Sequence, residues 1–372
     1  MKFLDRILLN PCVSMTKGEV YPFIEMGNVS SSYRQPIRTE MKPFNSGVRF
    51  QDGDTVIARI TPCLQNGKRF YCDNIGKGFG STEFLVFRPK DVFTDNKYLY
   101  YFMQTDFIRS RMINSMTGAT GRQRVNNKVF ENITVDFPDT RTQRKIGKIL
   151  SSYDDLVENN HKQIKLLEEA AQLLYKEWFV DFRFPGHENT AFVDGLPSGW
   201  HRMTIDSILC KIKRPPTVKK KDYLPEGSIP IIDQGKDFIA GYTNDQDTIV
   251  NVKPPVIVFG DHTRSIKYIQ FPFACGADGT QLITSRLPEM PVPLLYFSIV
   301  KLDLSNYHYA RHFKFLKAET IIVPTIDISK NFLRITNPIL RKIHVLRTMT
   351  ECSVKSRNQL LTKLITGTKG AK

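Results

Sequence analysis

The chain has 372 residues, enough for two ordinary domains with connecting elements, and its 41% hydrophobic and 24% charged content is that of a soluble globular protein. A formal net charge of +16 points to a polyanionic partner, and nucleic acid fits better than a membrane surface because no basic helix carries a clean apolar face. No apolar run approaches the roughly 18 residues of a membrane span. The N-terminus lacks a signal-peptide pattern, and Cys12, Cys63, Cys72, Cys210, Cys275 and Cys352 form no Cys-x-x-Cys pair, which argues against a zinc site and a disulfide framework, so a reducing cytoplasm is expected.

In chain order, residues 1–140 read as a strand-rich domain. GDTVIARITPCL from Gly53 and TEFLVFRP from Thr82 are β-branched and aromatic runs bounded by turn residues. Residues 97–116 predict one amphipathic helix, TGATGRQRVNN from Thr117 a glycine-rich polar loop, and ENITVDFP from Glu131 a strand stopped by proline. Residues 141–184 then predict a single long helix, roughly 60 Å at about 1.5 Å per residue. Its apolar positions, Tyr153, Val157, Asn160, Ile164, Leu167, Ala171, Leu174 and Trp178, alternate steps of four and three as in a coiled-coil seam, with Asn160 as the polar residue that fixes register.

A turn-rich linker follows over 185–199, then a second strand-rich domain over 200–330 and a second helix over 331–368. That helix has a weaker seam at Ile339, Ile343, Leu346, Thr350, Ser353, Arg357, Leu360 and Leu364. The two halves repeat in order: GDTVIARITPC with PPVIVFGDHTR, FGSTEFLVFRP with GADGTQLITSRLP, KYLYYFMQT with PLLYFSIVK, and the loop-strand-Pro passage ending at Pro138 with the one ending at Pro324. Four matches in one order indicate an internal duplication. The expected fold is therefore α+β, two mixed domains separated by long helices that pair as an antiparallel coiled coil with pseudo-two-fold symmetry. Such a molecule suits two DNA half-sites at a fixed gap.

Candidate DNA contacts lie where basic and amide side chains interleave with glycine or aromatics. In the first domain these are Arg59, Lys68, Arg69, Lys77, Arg122, Gln123, Arg124, Asn126 and Asn127. In the second they are Lys213, Arg214, Lys219, Lys220, Lys221, Lys236, His262, Arg264, Lys267, Tyr307, His308, Arg311 and His312. The lysines would supply salt-sensitive attraction to phosphates, whereas forked or amide groups such as Arg122, Gln123, Arg124 and Asn126 can make two-point contacts to guanine or adenine. The matched loops at Gly118 and Ser305 share no sequence, as expected of surfaces that read different half-sites.

Catalytic signatures are missing. There is no Asn-Pro-Pro-aromatic or Asp-Pro-Pro-aromatic tetrapeptide, no phosphate-binding P-loop, and no His-Glu-x-x-His pair. His308 and His312 have no carboxylate nearby in sequence. The chain reads as a binding subunit without an active site.

The passage VDFPDTRTQRKIGKILSSYDDLVENNHKQIKLLEEAAQLLYKEWF and the restart LPSGWHRMTIDSI resemble the specificity subunit of type I restriction–modification systems, over essentially the whole length. The resemblance implies two target-recognition domains, each reading one half of a split double-stranded DNA site, and two spacer helices that set the gap. It implies docking of two methyltransferase subunits, which bind S-adenosylmethionine, and of restriction subunits that use ATP and Mg²⁺, with no cofactor or metal held by this chain itself. The first domain lacks a lead-in like Ser198-Gly199-Trp200 and the second helix has the more polar seam, so a trimmed first domain and weaker partner docking are expected consequences. Two other readings stay open at this point: a stand-alone DNA-binding regulator, and a fragment of a fused DNA-modifying enzyme.

Overall fold

The computed structural model describes residues 1–276, 279–304 and 311–366. The chain divides into two compact units, Met1–Gln163 with Leu346–Lys372, and Ile164–Val345. No helix among the described residues is long and apolar enough to cross a membrane.

The first unit opens with α1 (Phe3–Arg6) and β1 (Ile7–Leu9) and builds two sheets from β2 (Val20–Ile24), β3 (Glu40–Pro43), β4 (Val48–Gln51), β5 (Thr55–Ala58), β6 (Arg69–Tyr71), β7 (Lys77–Gly80) and β8 (Phe84–Pro89). Their orders are β1-β8-β5-β6 and β3-β2-β7-β4. The strand period of two explains why the central residues of β5 and β8 are apolar on both faces. Val56, Phe84 and Val86 face a core shared with Ile24, Phe50 and Phe70, while Ile57, Leu85 and Phe87 face a second core with Phe3, Tyr98, Phe102 and Phe130. That second core also takes in Ile146, Leu150, Leu361 and Ile365, from the two long helices.

Residues 97–116 form two helices, not the one expected: α2 (Asn96–Phe102) and α3 (Asp106–Asn114). Thr105 takes an extended ψ of 149° between them, because burial of Tyr98 to Met103 on all sides suits a short core helix rather than one amphipathic face. The expected strand after Glu131 is also corrected. Lys2 meets Thr134 in a single bridge, flanked by bonds from Phe3 N to Ile133 O at 2.8 Å and from Val135 N to Met1 O at 2.9 Å, which is too short a pairing to count as a strand.

The second unit repeats the frame. After the hairpin β9 (Phe192–Val193) and β10 (Leu196–Pro197) come β11 (His201–Thr204), α5 (Ile205–Ile208), β12 (Ile229–Ile232), β13 (Gly241–Thr243), β14 (Val256–Gly260), β15 (Ile266–Ile269), β16 (Ala274–Cys275) and β17 (Thr280–Ile283). Then follow α6 (Val292–Val300), α7 (Phe313–Ala318) and β18 (Thr320–Val323). β2 runs parallel to β7 and antiparallel to β3, just as β12 runs parallel to β16 and antiparallel to β13. The bond from Phe3 N to Ile133 O recurs as Ile205 N to Glu319 O at 2.9 Å, where β11 and β18 pair over four residues.

The long helices are α4 (Thr140–Phe179) and α8 (Ile326–Leu361). Within the first unit they pack antiparallel, since Asn160 Nδ2 donates to Thr350 Oγ1 at 3.3 Å while Asp154 pairs with Arg357 further along. Within the second unit the rings of Trp178 and Phe179 lie 5.7 and 5.0 Å from that of Phe332. Val157, Asn160, Ile164, Ala171 and Trp178 are buried, as are Ile343, Leu346, Thr350, Ser353 and Arg357. Elsewhere the seam is displaced by one residue. Asp154 and Tyr175 are buried in place of Tyr153 and Leu174, Leu167 is half-buried, and Leu340, Leu361 and Ile365 replace Ile339, Leu360 and Leu364. The cause is the helix period: 3.6 residues per turn drifts about 20° per heptad from a strict 3.5 pattern.

Candidate nucleic-acid interface

The polar loop of the first unit is a clasp closed by its own backbone. Thr117 N donates to Arg124 O at 3.0 Å and Arg124 N to Thr117 O at 2.9 Å. Gly118 (φ 123°) and Gly121 (φ 80°) sit in backbone regions that side chains resist, which lets six residues turn back so tightly. The clasp is hung on the end of β5: Thr61 N donates to Gln123 O at 2.9 Å, and Val125 N to Arg59 O at 2.9 Å. Arg122 projects from it exposed, with no side-chain hydrogen bond or ion pair among the described residues.

Arg124 is also exposed but is held. Its Nε and Nη2 both reach the Glu83 carboxylate, at 2.9 and 2.6 Å. Hydrogen bonding from Arg124 keeps the Glu83 pKa below its ordinary value. The fork that would face a guanine is therefore already occupied, and Arg124 serves as a brace of the loop. Asn126 accepts from Lys128 N at 3.1 Å and caps the turn beneath. Asn127 is half-buried.

Three other predicted contacts are structural. Arg59 Nη2 donates to Val125 O at 3.0 Å, Lys68 Nζ to Met26 O at 2.8 Å, and Arg69 Nη1 to Gly67 O at 2.8 Å. Each long cation satisfies a backbone carbonyl in a turn, a use that pattern reading cannot separate from phosphate contact. Lys77 is exposed at the start of β7.

In the second unit the turn between β14 and β15 carries His262 and Arg264, both exposed. Gln234 fixes this turn: its Oε1 accepts from His262 N at 3.1 Å and its carbonyl from Thr263 Oγ1 at 2.6 Å. Arg264 has φ 62° and donates from Nη1 to Leu304 O at 3.1 Å. Asp261 anchors the chain after the second predicted loop. It accepts from His312 N through its carbonyl at 2.8 Å and from Phe313 N through Oδ1 at 2.8 Å. This repeats the bond from Val125 N to Arg59 O in the first unit.

His312 is buried, with Nδ1 lacking a partner among the described residues, so it is part of the scaffold and not of the exposed surface. Arg311 beside it is exposed. Tyr307 and His308 lie outside the described residues. Lys213, Lys219, Lys220, Lys221 and Lys236 are exposed, Lys219 capping the short helical turn that holds Lys220 and Lys221, whereas Arg214 donates to Gln281. Lys267 is buried, its Nζ donating to the carbonyls of Asp233 and Asp237 at 2.8 and 2.5 Å, and burial lowers its pKa although Asp233 is close. Glu83, Gln234 and Asp261, the residues that hold these segments, were missed because they carry no charge pattern; only their positions just outside strands hinted at a role.

Chemically, these surfaces offer cations and hydrogen-bond donors on braced turns. Among the described residues no group of three or more His, Cys, Asp or Glu side chains could hold a metal ion.

Two duplicated α+β units thus carry exposed basic loops, with the long helices contributing to each. Residues 13–169 match the family profile described as "Type I restriction modification DNA specificity domain". The chain is 24% identical over 307 residues to the type I restriction enzyme MjaIX specificity subunit of Methanocaldococcus jannaschii, covering 75% of this chain and 70% of that protein. It is 32% identical over 178 residues to the type I restriction enzyme EcoAI specificity subunit of Escherichia coli, covering 45% of this chain and 30% of that one. Its fold is similar to a crystal structure of the type I restriction-modification system S subunit from M. genitalium, at 18% identity and a TM-score of 0.57, covering 98% of this chain and 95% of that one. Residues 13–169 thus match a type I restriction–modification DNA specificity domain, and the curated relatives named here are specificity subunits of type I restriction enzymes.

Proposed function

We propose that this chain gives a type I restriction–modification complex its DNA sequence specificity, with no catalytic step of its own. Each unit reads one half of a bipartite double-stranded site and the helices set the gap. The observation that carries this reading is the pairing of a repeated frame with unlike loops: main-chain bonds at Arg59 and Asp261 hold equivalent positions, while the loops they anchor share no sequence. In the first unit Arg122 is the residue free to contact a base edge, and Lys77 is placed for phosphate contact. In the second, His262, Arg311 and Lys219 to Lys221 are the exposed candidates.

Methyltransferase subunits, two per complex in this reading, supply S-adenosylmethionine chemistry, and restriction subunits supply ATP- and Mg²⁺-dependent work. The docking face for the former is the outward side of α4, where Leu166 and Leu173, seven residues apart, are 64% and 63% exposed, with Val180 just past the helix end at 50%. This replaces Leu167 and Leu174, which lie toward the seam.

The test is co-expression with the cognate methyltransferase subunit and mapping of methylated adenines in host DNA. A split motif with a fixed gap is expected, and Arg122→Ala should alter one half only. A stable complex that adds no methylation refutes the reading.

A further inference from the structure

The first unit contains a cavity of about 340 Å³ that DNA reading does not use. Ser31 and Ser32, the segment 66–69, the start of α3 and one side of α8 enclose it. Its volume lies at the low end for small-molecule sites.

Its charge is one-sided. Arg69, Arg109 and Arg357 line it, and Asp106, which is exposed, is the one carboxylate in its wall among the described residues. Arg357 is neutralised by Asp154. Arg69 and Arg109 make no ion pair among the described residues; they donate to the carbonyls of Gly67 and Gln65, and the Nε of each is buried without an acceptor. Burial, with Arg357 adding to it, pulls the Arg69 pKa below its ordinary value, although Tyr100 and Asp154 oppose the shift.

The start of α3 adds to the same sign. The Thr105 hydroxyl donates backward to Phe102 O at 2.7 Å, so no side chain caps the first amides of this nine-residue helix. The rest of the wall is mixed: Leu64, Met103, Phe107, Met112 and Leu361 give it an apolar side, while Asn66, Gln104 and Asn358 add neutral polar groups.

We infer that this cavity binds a small organic phosphate, its oxyanion at Arg69 and Arg109 and its carbon body against Phe107, Met112 and Leu361. A phosphodiester of duplex DNA is the wrong source, because a rigid rod of stacked base pairs cannot follow its phosphate into a recess between separate chain segments. The ligand would stabilise the unit by bridging α3 and α8, since a group that binds only the folded state raises its stability.

The experiment is calorimetric titration and thermal melting of the full chain with two probes, inorganic phosphate and adenosine monophosphate, against sodium chloride at matched ionic strength. Saturable binding of both is expected, tighter for the nucleotide, with a raised melting temperature. Arg69→Met should weaken binding about tenfold or more, the cost of one charge-assisted hydrogen bond. Should that variant fail to fold, Arg109→Gln, on the more open wall, should show the same loss with an unchanged circular dichroism spectrum. Absence of binding by both probes, binding unchanged in Arg109→Gln, nucleotide binding weaker than phosphate, or displacement of the nucleotide by a duplex oligonucleotide would each overturn the inference.

Discussion

Replacing Asp154 by Ala should be among the most damaging single changes in the first unit. Its side chain on α4 is buried at 1% exposure, pairs with Arg357 of α8 at 2%, and accepts from Tyr101 Oη at 2.5 Å. The guanidinium has further bonds to Ser32 O and Asn358 Oδ1, at 3.2 and 3.0 Å, so it would stay in place as a buried cation after the carboxylate is gone. Breaking such a pair from one side costs about 3–5 kcal/mol, because the remaining charge is left without compensation. For a cooperative unit of this size that is roughly 10 °C in melting temperature. The double variant Asp154→Leu with Arg357→Met removes both charges at similar volume and should lie within about 1 kcal/mol of the parent, or above it. Urea unfolding of the parent, both single variants and the double variant forms the thermodynamic cycle that checks this. A single-variant loss under about 1 kcal/mol, or a double variant that loses the sum of the two, would show that the pair does not act through burial of charge.

Three further outcomes are expected. Leu166→Asp with Leu173→Asp should abolish co-purification with the methyltransferase subunit while leaving the melting temperature unchanged, because both leucines are already exposed; an intact complex on size exclusion would refute that face. Arg122→Ala should weaken binding to the cognate duplex about tenfold without altering stability, whereas Arg124→Ala should lower stability by releasing Glu83; equal affinity of the Arg122 variant and the parent by fluorescence anisotropy would exclude Arg122 from the interface. His161, stacked edge-on against Tyr33 at 4.4 Å, has its pKa pulled below 6.5 by burial and by Arg347. Its folded form resists protonation, so its contribution is complete above about pH 6.5 and falls as acidification protonates the unfolded chain first. His161→Gln should flatten the stability loss between pH 7.5 and pH 5.5, and parallel curves for parent and variant would refute this.

Much of the architecture was legible because it rests on periodicity and order. The duplication could be read from four matched passages, and the fixed seam positions Val157, Asn160, Ile164 and Ala171 from the four-three alternation. What escaped was set by tertiary partners. The drift from Leu174 to Tyr175 depends on how straight the helix runs, and the break at Thr105 depends on a core that surrounds Tyr98 to Met103. The interface was the least legible part. Arg59, Lys68, Arg69, Arg124 and Lys267 look alike in sequence to Arg122 and Lys77, yet the first five are held by carbonyls or carboxylates that only folding brings near. Charge density marks a basic surface, but it cannot tell a cation that faces solvent from one that braces a turn.

The bonds from Val125 N to Arg59 O and from His312 N to Asp261 O are made by main-chain atoms. The bonds themselves use no side-chain atom, although Val125 and His312 are buried and must fit their cores. The loops are thus mounted on main-chain fittings rather than on their own side chains. A lineage can rewrite what lies between the fittings, or exchange one cassette for another, without re-solving the fold that carries it. Acquiring a new half-site then becomes a local edit.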